Sequence, residues 1–180
     1  MHCRFITRLS AIAFALSAQS FTAFAQDATL PGGAASLRES YGDWTVACGL
    51  QTADSKKHKV CALIQEQIAA KTRQRALALD LKPDAGGVKG TLVLPFGLAL
   101  EKGANFVIDD GKLGGTQRFR TCLPVGCLID IAFDGATVTT LKSSKTLKVK
   151  VAAENGQEMV LSISLSGFAG AYDRVAALLK

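Results

Sequence analysis

The sequence is poor in histidine, tryptophan, methionine and proline. Its 180 residues include two histidines, one tryptophan, two methionines and four prolines. Because imidazole is a frequent general base and metal ligand, two histidines leave few ways to build a catalytic triad or a zinc centre. With 48% hydrophobic and 20% charged residues, the chain is neither disordered nor collagen-like. We expect one globular domain at this length.

The common motifs of enzymes are also missing. The sequence contains no H-E-x-x-H pattern, no P-loop and no G-x-G-x-x-G after a strand. His58 lies within Lys56-Lys57-His58-Lys59, which indicates an exposed turn. Glycine-rich residues 86–90 and 111–115 match no phosphate-binding spacing, and we interpret them as turns. The sequence therefore predicts no enzyme, no cofactor, and no catalytic or metal-binding residue.

The N-terminus has the three parts of a secretory signal peptide. A basic start with Arg4 and Arg8 precedes the apolar run Leu9–Ala18, and Ala23-Phe24-Ala25 supplies small residues for cleavage. The run is shorter than the ~20 residues that a spanning helix needs. We expect residues 1–25 to be a signal peptide, with no transmembrane anchor in the exported chain. Cleavage would leave 19 basic and 15 acidic residues, a net charge of +4.

Four cysteines would remain after cleavage, in an oxidising compartment. The even number predicts two disulfides. A zinc site is the alternative, but twelve residues separate Cys48 from Cys61, and zinc sites favour closer pairs. Each pair flanks the connection between two adjacent predicted strands, which favours the pairings Cys48–Cys61 and Cys122–Cys127.

The second pairing depends on a tight turn. Leu123-Pro124-Val125-Gly126 has proline and glycine at the positions typical of a type I turn, so Cys122 and Cys127 would lie opposite each other. The same register would place Arg118 and Arg120 opposite two isoleucines. A bulge beside the turn, or different strand partners, would remove that conflict.

Short alternating segments predict a mostly antiparallel β-sandwich. Residues 26–40 carry Pro31 and two glycines without an apolar period, and we interpret them as a flexible leader before a domain at residues 41–180. Trp44, Val46 and Cys48 then alternate with polar or small residues, which is typical of a half-buried strand. The other segments with strand character are Val60–Ile68, Leu77–Leu81, Thr91–Leu94, Asn105–Asp109, Gln117–Cys122, Cys127–Phe133, Leu147–Val151 and Met159–Leu165.

The last two strands allow a prediction of register. A three-residue loop Glu154-Asn155-Gly156 pairs Val151 with Met159 and puts both apolar rows on one face, whereas a two-residue turn would separate them. Gly156 would then adopt a left-handed backbone conformation. We also expect a short helix over residues 136–141 and a C-terminal helix over residues 167–179, capped by Ser166.

Basic side chains occur in three short rows. These rows are Lys71, Arg73 and Arg75; Arg118 and Arg120; and Lys148 and Lys150. Such rows bind an anionic partner or discourage aggregation at a sheet edge, and their spacing fits both roles. Nucleic acid is a poor partner for an exported protein.

An ordered set of motifs runs through the chain after the leader. The set comprises Tyr41-Gly42-Asp43-Trp44, Cys48, Cys61 with Gln65, Leu94-Pro95-Phe96-Gly97-Leu98, Ile108-Asp109, Phe119 with Cys122, Gly126-Cys127, and Ser164–Phe168 with Ala171. In this order the motifs resemble the invasion-associated locus B family of exported bacterial proteins.

The resemblance implies an immunoglobulin-like β-sandwich, periplasmic or exposed at the cell surface, without known catalytic residues. It further implies a contribution to envelope interactions or to host-cell invasion, through an envelope or host-surface partner that an anionic group would suit. The alternative is an exported enzyme that uses an acidic cluster of Asp109, Asp130 and Asp134.

Overall fold

Two antiparallel sheets form the framework of the protein. The computed structural model describes residues 28–109 and 111–180, and the signal peptide expected over residues 1–25 lies outside them. The strands in the described residues are β1 (Ser36–Tyr41), β2 (Trp44–Ala53), β3 (Lys56–Ile68), β4 (Arg75–Asp84), β5 (Gly87–Leu94), β6 (Ala104–Ile108), β7 (Gly111–Gln117), β8 (Phe119–Leu123), β9 (Gly126–Phe133), β10 (Thr146–Ala152) and β11 (Glu158–Ser164). The helices are α1 (Gly135–Ser143) and α2 (Phe168–Leu178), with 3₁₀ turns at Pro31–Gly33 and Leu100–Lys102.

The strand order confirms the predicted all-β class. The larger sheet has the order β1-β2-β3-β4-β5-β9-β8 and the smaller one β11-β10-β6-β7, with antiparallel pairing throughout. The predicted C-terminal helix is also present. The first five strands form a meander, whereas immunoglobulin domains use Greek-key connections. The likeness to an immunoglobulin domain therefore lies in the two packed sheets and not in the strand order.

The core is built from the inward-facing residues of the two sheets and the helices. Strict alternation is clearest in β10, where Leu147, Val149 and Val151 are buried and the residues between them are not. The larger side chains that are almost fully buried are Trp44, Leu63, Leu77, Leu79, Leu81, Leu92, Leu94, Phe106, Ile129, Leu141, Leu147 and Phe168. Burial of apolar surface at about 25 cal/mol per Å² is the main force that holds the sheets together.

The final hairpin has the predicted register. Val151 pairs with Met159 and Val149 with Leu161. The amide N–H of Gly156 donates to the carbonyl of Ala153, and the φ of Gly156 is +86°. This left-handed backbone angle is the one that the three-residue loop requires of its glycine.

Four interpretations of local structure are corrected. Residues 36–40 are not leader but belong to strand β1, and the side chain of Leu30 is buried. The two glycine-rich segments interpreted as turns are mostly strand, because residues 111–115 belong to β7 and residues 87–90 to β5, which leaves only Gly86 in a turn. The β2–β3 turn is at residues 54–55, so residues 56–59, including the exposed His58, lie in β3.

The fourth correction concerns the start of the C-terminal helix. Gly167, and not Ser166, occupies the N-cap position of α2, and no side chain caps the helix there. Gly167 takes a left-handed φ of +86°. The chain needs this glycine because its α-carbon passes close to the backbone of Tyr41 and Gly42 in the β1–β2 turn.

Candidate functional site

Both predicted disulfides are present, and each joins two directly opposed strands. Cys48 and Cys61 link β2 to β3, and Cys122 and Cys127 link β8 to β9. The β8–β9 ladder shifts register between Phe119 and Thr121. This bulge, one of the two solutions that the sequence left open, pairs Phe119 with Ile129 and so takes Arg120 out of the position opposite that isoleucine.

The motif residues Trp44 and Gln65 join the larger sheet to the edge of the smaller one. The indole N–H of Trp44 and the side-chain amide of Gln65 both donate to the carbonyl of Ser164, at 2.9 and 2.8 Å. Gln67 donates to the carbonyl of Ser162 at 2.8 Å. Ser162 and Ser164 belong to β11, an edge strand, so three side chains bind carbonyls that no neighbouring strand pairs with.

The Tyr41–Trp44 motif and the Ser164–Phe168 motif, each of which contains a glycine, contact each other. The amide N–H of Asp43, in the β1–β2 turn, donates to the carbonyl of Ser166 at 3.1 Å. A Cβ on Gly167 would lie 1.9 Å from the carbonyl oxygen of Tyr41. A Cβ on Gly42 would lie 2.7 Å from the Ser166 oxygen. A side chain at either glycine would therefore prevent this close backbone contact.

A partly buried ion pair fixes helix α2 to strand β1. The guanidinium of Arg174 donates twice to the carboxylate of Glu39, both at 2.7 Å, and the Tyr41 hydroxyl donates to the same carboxylate at 3.0 Å. The hydrogen bonds from Arg174 hold the pKa of Glu39 below its ordinary value of 4.5, against the opposing effect of burial. Sequence reasoning missed this pair because the two residues are 135 positions apart.

The acidic residues proposed for the enzyme alternative have separate structural partners. Asp109 accepts from the amides of Lys145 and Thr146, both at 3.2 Å. Burial opposes the ionisation of Asp109, but these hydrogen bonds outweigh it and lower its pKa. Asp134 caps α1 by accepting from the Thr137 amide at 2.8 Å, which lowers its pKa.

The third acid of that cluster, Asp130, is exposed on β9 and pairs with Arg120 at 3.3 Å. Within residues 28–109 and 111–180, no group of three or more His, Cys, Asp or Glu side chains is placed to hold a metal ion. Asp109, Asp130 and Asp134 are thus each held by a different structural partner.

One predicted basic row lies in an open groove. The outer face of the smaller sheet forms a depression of about 690 Å³ that we call the lysine groove, lined by Lys102, Asn105, Asp109, Lys148, Lys150 and Glu158 among others. β10 carries Lys148 and Lys150 and lies between β11 and β6. Protection of a sheet edge therefore does not explain this row.

Charged side chains of both signs line the lysine groove. The carboxylate of Asp109 is held by backbone amides, and Glu158 approaches Lys150 at 3.5 Å. Lys102 enters the groove from the 3₁₀ turn that precedes β6. Sequence reasoning missed Lys102 because only the fold brings it beside β10. Among the described residues that line the groove, three lysines outnumber two carboxylates.

The other basic rows lie elsewhere. Arg118 and Arg120 lie next to or within β8, an edge strand of the larger sheet, where edge protection is a sufficient explanation. Lys71 and Arg73 lie in the β3–β4 connection, and Arg75 begins β4 and pairs with Glu66. The fold therefore does not gather the three rows into one patch.

These features define a class of protein: a two-sheet β-domain with two hairpin disulfides, in which most of the distinctive polar residues support the scaffold. Comparison with known proteins gives the family. The model of the family described as "Invasion associated locus B (IalB) protein" matches residues 44–176. The chain belongs to the invasion-associated locus B family.

Relatives match over nearly the whole chain. An invasion protein B homolog of Brucella abortus is 46% identical over 176 residues, which cover 96% of this chain and 98% of the relative. Invasion protein B of Bartonella bacilliformis is 34% identical over 96% of this chain and 92% of its own. The crystal structure of invasion associated protein B from Bartonella henselae superimposes with a TM-score of 0.71 at 32% identity, covering 79% of this chain and 96% of that one.

Proposed function

We propose that this protein is exported and acts in the periplasm or at the cell surface by binding an anionic partner, without catalysis. Three observations support export: the signal-peptide pattern of residues 1–25, the two disulfides, and the family. Disulfides persist in oxidising compartments, and the cytosol keeps most thiols reduced. Among the described residues, no helix is long and apolar enough to cross a membrane.

The lysine groove is the observation that carries the binding proposal. Its lysines lie on a central strand and on a separate turn, so they are positioned by the rigid sheet and not by one flexible loop. Ammonium groups that converge on one depression attract phosphate or sulfate groups, and the attraction weakens as salt screens it. The partner would be an anionic envelope or host-surface component.

Host-cell invasion is the finer proposal. Its support is that relatives at 46% and 34% identity are named for invasion. The lysine groove would then face an anionic host surface. Loss of cell entry on deletion of the gene, restored by the wild-type chain but not by a groove variant, would connect the groove to invasion.

Binding to heparin, a sulfated polyanion, tests the groove directly. The double variant Lys148→Gln/Lys150→Gln should elute from immobilised heparin at clearly lower salt than the wild-type protein. The matched control is Lys56→Gln/Lys57→Gln, which removes the same charge from the exposed arm of the β2–β3 hairpin. Equal elution of the two double variants would show that net charge alone acts, and it would overturn the groove as the binding site.

A further inference from the structure

Exposed apolar side chains collect at one end of the larger sheet. We call this set the apolar end: Ile68, Phe96, Leu123 and Val125, with exposed fractions of 52%, 61%, 47% and 53%. They lie at or just beyond the ends of β3, β5 and β8, and the antiparallel order brings these three strand ends to the same side of the sheet. Exposed apolar clusters of this kind mark interaction sites in soluble proteins.

A groove lies between two of these side chains, Phe96 and Val125. A depression of about 550 Å³ is lined by Arg75, Leu94, Pro95, Phe96, Pro124 and Val125 among others. A Cβ on Gly126 would lie 2.4 Å from the carbonyl oxygen of Leu94. The β5 end and the β8–β9 turn are therefore in direct contact, so Phe96 and Val125 belong to one continuous surface.

The fold holds this surface rigidly. Leu94 and Leu98, on either side of Phe96, are buried, and the Gly97 carbonyl accepts from the Glu154 amide at 2.9 Å. On the other side, the Cys122–Cys127 disulfide closes the turn that carries Val125. The apolar side chains are thus displayed outward by a constrained backbone, which lowers the entropy lost on binding.

Cationic groups border the apolar end. Lys71 and Arg73 are exposed in the connection that follows Ile68, and neither forms an ion pair with another described residue. Arg75 pairs with Glu66 and lines the groove itself. An apolar surface next to unpaired cations is complementary to a surface that is apolar inside and anionic at its boundary.

We propose that the apolar end binds an anionic phospholipid surface, with Phe96 and Val125 entering the acyl boundary and Lys71 and Arg73 contacting the phosphates. A membrane fits better than a protein partner because the apolar side chains come from the ends of three strands and are bordered by cations. This proposal extends the binding role proposed above but uses a different surface from the lysine groove. The proposal for the apolar end can therefore be tested independently of the proposal for the lysine groove.

Co-sedimentation with vesicles tests the proposal. The processed protein, purified after export, is mixed with phosphatidylcholine vesicles that contain or lack the anionic lipid phosphatidylglycerol. We expect binding to the anionic vesicles and at least about tenfold weaker binding to the neutral ones. Phe96→Ser and Val125→Ser should each weaken anionic binding severalfold, as should Lys71→Gln/Arg73→Gln.

Three controls separate this surface from others. Val160→Ser removes a side chain that is 47% exposed on β11 and should leave vesicle binding unchanged. Lys56→Gln/Lys57→Gln matches the charge loss at Lys71 and Arg73, and Lys148→Gln/Lys150→Gln tests the lysine groove. Circular dichroism confirms that each variant is folded. No sedimentation of the wild-type protein, equal binding to neutral vesicles, or wild-type binding by Phe96→Ser and Val125→Ser would each overturn the proposal.

Discussion

The indole N–H of Trp44 donates a hydrogen bond to the carbonyl oxygen of Ser164 at 2.9 Å. This contact joins the first residue of β2 to the last residue of β11, so it links the two sheets where β11 would otherwise present an unpaired edge. The Trp44 ring also packs edge-on against Phe168 of α2, with ring centroids 5.1 Å apart. The Trp44 side chain therefore connects both sheets and the C-terminal helix.

Replacement of Trp44 by phenylalanine should destabilise the domain by about 2 kcal/mol, because it leaves a cavity and removes one hydrogen bond. Urea unfolding followed by circular dichroism measures the loss. The control is Phe96→Leu, at an aromatic residue that is 61% exposed, where we expect a change within about 0.5 kcal/mol. Equal stability of the two variants would contradict the central position of Trp44.

Two glycines with the same backbone angle should respond differently to alanine. Gly167 and Gly156 both have a φ of +86°, but a Cβ on Gly167 would collide with the Tyr41 carbonyl, whereas nothing lies within 4 Å of a Cβ on Gly156. We expect Gly156→Ala to cost about 1 kcal/mol, from the left-handed angle alone. Gly167→Ala should cost at least twice as much or prevent folding. Similar melting temperatures for the two variants would show that the contact between the β1–β2 turn and α2 is loose.

The domain should lose stability in acid. The pKa values of Glu39, Asp109 and Asp134 are lowered in the folded protein. Each carboxylate therefore contributes stability that is complete above its ordinary pKa of 3.8 to 4.5 and is lost as the pH falls through its folded value. Asp80 has the opposite effect on the pH dependence of stability. Burial raises its pKa, so the folded state favours the protonated carboxyl and gains stability from Asp80 as the pH falls.

Thermal melts between pH 6 and pH 3 check this prediction. The melting temperature should fall below about pH 4.5, near the ordinary pKa values of carboxyl groups, and Asp109→Asn should make the fall less steep. A melting temperature that is constant down to pH 3, or that rises, would contradict the hydrogen bonds assigned to these carboxylates.

Sequence patterns predicted the strands with a regular apolar alternation and missed β1 and β7. The alternation of Trp44, Val46 and Cys48 led directly to β2. β1 has Glu39 on the face that meets Arg174, and no local sequence pattern predicts a partner so distant in the chain. β7 was missed because three of its seven residues are glycine, a residue depleted in strands.

The candidate site was less predictable than the fold. The row of Lys148 and Lys150 is visible in the sequence, but its position on a central strand is known only from the strand order. The apolar end depends on the meeting of three strand ends from different parts of the chain. A signal for Gln65 did exist, since it continues the inward alternation of Cys61 and Leu63, and a polar residue at such a position needs a buried partner.

The two disulfides should contribute unequally to stability. The Cys48–Cys61 loop spans 13 positions and the Cys122–Cys127 loop 5, so chain entropy assigns about 3 kcal/mol to the first and about 2 kcal/mol to the second. Chemical unfolding of the double variants Cys48→Ser/Cys61→Ser and Cys122→Ser/Cys127→Ser compares them. A larger loss from the second pair would show that strain or packing outweighs loop entropy.

The mass of the protein isolated from the cell envelope without reduction tests most directly whether it is an exported, disulfide-linked domain. We predict a chain that begins at Gln26 and lacks four hydrogen atoms because both disulfides have formed. Peptides from the same sample should join Cys48 to Cys61 and Cys122 to Cys127. A retained N-terminal segment would contradict export with cleavage, and free thiols or a crossed pairing would contradict the oxidised scaffold.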